Sequence, residues 1–82
     1  MTTNKDSKYF KNFDIALTGA LLVAGYKLLD LDKSNPKKVQ FIFASENGID
    51  KAVHDYFSFN FPVDAQTYWN NIKMLKNRIY IN

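Results

Sequence analysis

Few residues in this sequence have the type and spacing to do chemistry, and those that do are scattered. His54 is the only histidine. It stands four residues after Asp50, within reach of a surface hydrogen bond or ion pair along one helix face. Acid–base catalysis needs a nucleophile or a second titratable group beside it, and a metal needs further ligands. Neither follows at a recognisable spacing, so His54 reads as a solvated helix-face residue. Asp30 and Asp32 fall on one face of a strand, as paired acids for metal binding or acid–base work would. They flank a lysine-rich turn, and cross-strand neutralisation by Lys37 or Lys38 is the simpler expectation. Asp50 and Asp55 read as ordinary charge on a polar helix face.

Gly19, Gly25 and Gly48 are too dispersed for a phosphate-binding loop. Ser7, Ser34, Ser45 and Ser58 have no nucleophile elbow around them. Cysteine is absent, which removes disulfides and thiolate metal sites. These residues predict a protein that is not an enzyme, holds no metal or cofactor and takes no small-molecule substrate.

Positive charge is the remaining signal. Lys33, Lys37 and Lys38 surround one turn, while Lys73, Lys76 and Arg78 lie in the last helix. Brought to one side, the two groups would form a phosphate-contacting surface. The net charge of +3 is mild and does not by itself call for an anionic partner. Lys76 is the odd member, because a helical wheel puts it in the apolar face between Trp69, Ile72 and Ile79. It either snorkels past Trp69 or points into a cleft or a partner, and snorkelling is the simpler expectation.

The elements that must position these residues are organised around a hairpin. Tyr26 to Leu31 forms one arm and Val39 to Ala44 the other, with Asp32 to Lys38 as a polar turn containing Pro36. In the second arm Val39, Phe41 and Phe43 alternate with Gln40, Ile42 and Ala44, the period of a pleated strand. Pairing Leu31 with Phe41 and Leu29 with Phe43 gathers the large apolar side chains on one face. The competing register, Leu31 with Ile42, turns Phe41 and Phe43 away, so the first is expected.

Helices fill the rest. Asp14 is an N-cap and Gly25 a C′ residue, which bounds a helix over Ile15 to Ala24. It has no charged face. Ala16, Ala20 and Ala24 make a flat stripe that suits close contact with another helix, in the same chain or in a second copy. Asn47 is read as the start of a second helix, whose apolar positions are Ile49, Ala52, Val53, Tyr56 and Phe57. Ser58 to Val63 alternates as an extended segment or third strand, held to an edge by Pro62. Asp64 caps the last helix, in which Ala65, Tyr68, Trp69, Ile72, Leu75 and Ile79 share a face. Tyr9, Phe10 and Phe13 are expected across the core as a short strand or lead-in, since three aromatics in five residues are poorly left in water.

At 82 residues the chain makes one domain, a polar, disordered tail over 1–8 followed by a single α+β domain over 9–82. A domain of this size buries only about 60% of its unfolded surface. Its 16% aromatic content compensates, because few side chains then fill a core. The basic start followed by the apolar run Ile15 to Gly25 imitates a signal peptide, but Asp6 and Asp14 interrupt it, and the run is short of the ~20 residues needed to span a bilayer. A cytoplasmic protein with no membrane contact is expected.

The layout of caps and apolar positions also carries a resemblance. Phe10-Lys-Asn-Phe-Asp-Ile-Ala-Leu17, Leu21-Leu-Val-Ala-Gly-Tyr-Lys-Leu-Leu29, Val39-Gln-Phe-Ile-Phe43, Val63-Asp-Ala65, Tyr68 and Ile72-Lys-Met-Leu-Lys-Asn-Arg-Ile-Tyr80 resemble a family of small bacterial and phage domains of unknown function. The longer hairpin turn with Asn35-Pro36 departs from its pattern. The resemblance implies a self-standing fold and brings no activity or functional residues. The reading is therefore an antiparallel hairpin packed by three helices, in the order α-β-β-α-(β)-α. The expected function is a protein-interaction module that binds a protein partner or itself, as a homodimer through Ala16, Ala20 and Ala24. The alternative is a nucleic-acid-binding accessory protein using Lys33, Lys37, Lys38, Lys73, Lys76 and Arg78.

Overall fold

Asp14 starts the first helix as a carboxylate cap, its Oδ1 accepting the amides of Ala16 and Leu17 at 2.9 and 3.2 Å. Gly25 ends it with φ +100°, while the amides of Gly25 and Tyr26 return to the carbonyls of Leu22 and Leu21. The computed structural model describes residues 8–81. Its elements are β1 (Tyr9–Asn12), α1 (Ile15–Val23), β2 (Leu28–Asp32), β3 (Gln40–Ala44), α2 (Ile49–Phe57) and α3 (Ala65–Tyr80). Of the tail expected over 1–8, residues 1–7 lie outside the described residues. Lys8 extends the sheet, its carbonyl accepting the Ser45 amide at 2.9 Å.

The strands form one antiparallel sheet in the order β1-β3-β2. The α+β class, the hairpin and its three helices are as the sequence reads. The third strand comes from Tyr9–Asn12, and residues 58–63 contain no strand. There a left-handed residue, Phe59 at φ 62°, breaks the extended run, and Pro62 has no N–H to give a ladder. The hairpin register is half as expected. Leu31 pairs with Phe41, but Leu28, not Leu29, stands opposite Phe43, because the register shifts between Leu28 and Asp30. Leu29 is left half exposed.

Alternation along β3 turns Phe41 and Phe43 to the face that carries the helices, where both are buried. They form the core with Leu17 and Leu21 of α1, Ile49 and Ala52 of α2, and Leu75 of α3. Phe10 packs on the rim, its ring 6.4 Å from that of Phe43. Tyr9 and Phe13, expected out of water, are about half exposed.

The small residues of α1 serve the chain's own packing. Ala20 is buried and Ala16 half-buried, while Ala24 is exposed. At Gly19 the helix comes so close to α3 that an added β-carbon would meet Ile72 and Tyr68. The Tyr68 hydroxyl donates to the Ala16 carbonyl at 3.1 Å. The Ala16, Ala20 and Ala24 stripe is thus no continuous surface for a second copy, since its central residue is inside the fold.

The start of α2 also differs from expectation. Gly48, not Asn47, is the N-cap, with φ +90° and no side-chain cap. A left-handed backbone is needed there, which glycine alone supplies without strain. Asp64 caps α3 as expected, its Oδ2 accepting the Thr67 amide and hydroxyl at 2.9 and 2.7 Å.

Candidate functional site

The hairpin turn reaches over the last turns of α3. Asn35 shapes the turn, its Oδ1 accepting the Lys37 amide and its carbonyl the Lys38 amide, each at 3.0 Å. Pro36 between them has its φ set by its ring. Lys33, at the base of the turn, reaches across to α3. Its Nζ donates to the carbonyls of Arg78 and, at 2.6 Å, of Ile81. The Arg78 carbonyl lies in the last turn of α3 and the Ile81 carbonyl on its C-cap residue, at the negative end of the helix dipole. The Lys33 ammonium places a positive charge there and ties the hairpin to the end of the helix.

The two elements then enclose a groove of about 430 Å³. Lys37 and Lys38 line it from the turn, and Lys76 from α3. Of its lining, Phe41 is buried and Ile15, Val39 and Ile79 are half-buried, which makes them the floor, while Phe13 and Tyr80 are exposed at the sides. The Lys38 ammonium lies 4.6 Å from the centre of the Phe13 ring, a cation–π contact that holds it at the edge of the groove. Three lysines and no carboxylate are among the lining residues, and the nearby Asp32 lines a separate recess with Lys38 and Phe13. A smaller recess that shares Pro36, Val39, Ile79 and Tyr80 with the groove extends it toward Lys33.

The six basic residues thus separate. Lys37, Lys38 and Lys76 come together. Lys33 is engaged with the backbone of α3, and Arg78 contributes a carbonyl to that contact. Lys73 stands over Trp69, 5.9 Å from its ring centre. Lys76 lines the cleft, and Trp69, which shares its helix face, is about half exposed.

Phe13 and Tyr80 are groove residues that sequence patterning does not mark. Their aromatic type and the neighbouring lysines are a signal only once the fold has brought the start of α1 and the end of α3 together.

The other candidates for chemistry stay apart. His54 Nε2 lies 3.5 Å from Ser58 Oγ, and Asp55 pairs with Lys51 at 2.7 Å. Asp30 accepts the Leu31 amide at 2.8 Å, and Asp32 accepts the Ser34 hydroxyl and amide at 2.7 and 2.9 Å. Asp30 and Asp32 thus accept from near neighbours in the chain, where neutralisation by Lys37 or Lys38 was expected. The Ser34 hydroxyl, and then its amide, lower the pKa of Asp32 below the usual aspartate value. Among the described residues no group of acidic or histidine side chains is arranged to hold a metal. No helix among them is long and apolar enough to cross a membrane.

These features define a small α+β domain in which a helical layer covers one face of a three-stranded antiparallel sheet. The match to a family model over residues 7–81 makes the chain a member of the DUF5659 family, a domain of unknown function. No curated protein and no solved structure matches it significantly.

Proposed function

We propose that this protein is a non-enzymatic interaction module that docks a protein partner in the groove between the hairpin turn and the end of α3. One observation carries this reading: Lys37, Lys38 and Lys76, from two distant stretches of sequence, line a single groove with an apolar floor. A concave, mostly apolar site with a few converging polar groups is the common form of a binding site. The residues suited to catalysis do not converge there, since His54 and Asp30 line no part of it. The cysteine-free sequence suits the cytoplasm. Self-association through the alanine stripe is disfavoured by the burial of Ala20.

Small neutral probes test the docking surface. Phenol and isobutanol titrated into ¹⁵N-labelled protein are expected to shift the amides of residues 13–15, 37–41 and 76–80. Shifts clustered elsewhere, for example at the exposed Phe57 and Phe59, or no clustering at all, would overturn the assignment.

A second reading, nucleic-acid binding, is favoured by the exposed rings of Phe13 and Tyr80 beside the lysines, since stacking and phosphate contacts combine in single-strand binders. Fluorescence anisotropy with single- and double-stranded oligonucleotides across a salt series tests it. The reading requires affinity that rises as salt falls, and silence at low salt would end it.

A further inference from the structure

We infer that the occupant of this groove is an acidic peptide segment carrying a large apolar anchor. The inference rests on the groove being the docking surface, and it names the chemistry of what docks. Charge complementarity gives the first half. Lys37, Lys38 and Lys76 line the space and no carboxylate does, so an anionic occupant is favoured and a cationic one repelled. The floor gives the second half. Ile15, Val39, Phe41 and Ile79 bring no side-chain donor or acceptor. A nucleobase laid there would leave its polar edge unsatisfied, whereas a Leu, Phe or Trp side chain would lose only water.

Carboxylates would then meet the lysines at the edge while the apolar side chain sits on the floor. The recess toward Lys33 continues the groove and suits an extended segment better than a single small molecule. The walls are also set in advance. Asn35 holds the turn, Lys33 ties the turn to α3, and Phe13 holds the Lys38 ammonium, so little ordering is left for binding to accomplish.

The test is fluorescence anisotropy on the full chain with four labelled probes. These are a ten-residue peptide alternating Glu and Leu, the same peptide with Lys for Glu, the same with Ser for Leu, and a ten-nucleotide oligothymidine. The Glu/Leu peptide is expected to bind tightest, with each peptide control weaker by about tenfold or more. The Lys37→Glu/Lys76→Glu double variant, shown to be folded by circular dichroism, is expected to lose that preference. A Lys/Leu peptide that binds as well removes the acidic requirement, and an equal Glu/Ser peptide removes the anchor. An oligothymidine that binds tighter and displaces the Glu/Leu peptide assigns the groove to nucleic acid. The neutral-probe titration separates the two levels. Groove shifts with phenol but no Glu/Leu binding overturn the partner chemistry alone, whereas no groove shifts with phenol or isobutanol overturn the docking surface as well.

Discussion

A β-carbon on Gly19 would come within 2.7 Å of Cδ1 of Ile72, with the Tyr68 ring at 3.1 Å. Glycine inside a helix ordinarily costs about 1 kcal/mol relative to alanine. Here it buys the close approach of α1 to α3. The Gly19→Ala substitution is expected to gain helix propensity and lose more by overpacking, for a net destabilisation of about 1 kcal/mol. Ile72→Val deletes the methyl in the way. In that background Gly19→Ala is expected to be neutral or stabilising, with a coupling of roughly 1 kcal/mol in a urea-denaturation cycle. Additive effects would show that the two side chains do not compete for this space.

The β2 register makes a second prediction. Leu28 packs against the core opposite Phe43, while Leu29 is about half exposed at the irregularity. Leu28→Ala is expected to cost about 1–2 kcal/mol, less than full burial would imply, and Leu29→Ala within about 0.5 kcal/mol. Paired denaturation curves check the order, and a reversal would restore the regular pairing of Leu29 with Phe43.

That pair also marks how far the sequence could be read. Asp14, Gly25 and Asp64 are legible because capping is local: the residue and the amides or turn it serves lie within a few positions. Phe41 and Phe43 are legible because alternation is local too. Leu28 and Leu29 are adjacent and alike, so only the pairing of the whole sheet decides which one faces inward. The groove is of the same kind. Lys38 and Lys76 lie on elements far apart in the chain, and the Lys33 contact with the Arg78 and Ile81 carbonyls spans the same gap. Nothing in local composition separates the lysine that braces the fold from the two beside it that face open space.

Lys33 is accordingly predicted to behave unlike its neighbours. Lys33→Met keeps most of the stem and removes the charge and its donors, leaving the end of α3 without this partner. A loss of about 1 kcal/mol is expected, with hydrogen-exchange protection falling first at the amides of the last turn of α3. Lys37→Met is expected to leave both unchanged, because its side chain only lines the groove.

Acid should loosen α3 through its cap. The Thr67 amide, and then its hydroxyl, hold the Asp64 carboxyl below the usual value of 3.8. A carboxyl with a lowered pKa in the folded state contributes stability above its unfolded value, and that contribution is lost as pH falls through the folded value. Asp32 is shifted the same way by Ser34 and adds to the trend. Thermal unfolding followed at 222 nm is expected to be flat near neutrality from this source and to fall below about pH 4. Asp64→Ser keeps a cap without the titration. The gap between wild type and this variant is therefore expected to close in acid, and a constant gap would place the acid sensitivity elsewhere.

The two Schellman endings of α1 and α2 pose the last question. Gly25 closes the first at φ +100°, as that geometry favours. Phe59 closes the second at φ 62°, its amide donating to the Tyr56 carbonyl at 3.2 Å and the Asn60 amide to the Asp55 carbonyl at 2.9 Å. Among the described residues it is the only one other than glycine with positive φ, and its side chain is 96% exposed. No burial offsets the strain of its β-carbon. Phe59→Gly is therefore expected to stabilise the protein by about 0.5–1 kcal/mol, the relief of left-handed strain less the added freedom of the unfolded chain. Phe59→Ala keeps the β-carbon and removes the ring, so it is expected to stay near wild type. Denaturation midpoints for the two variants separate backbone from side chain, and an equal gain from Phe59→Ala would trace the cost to the exposed ring.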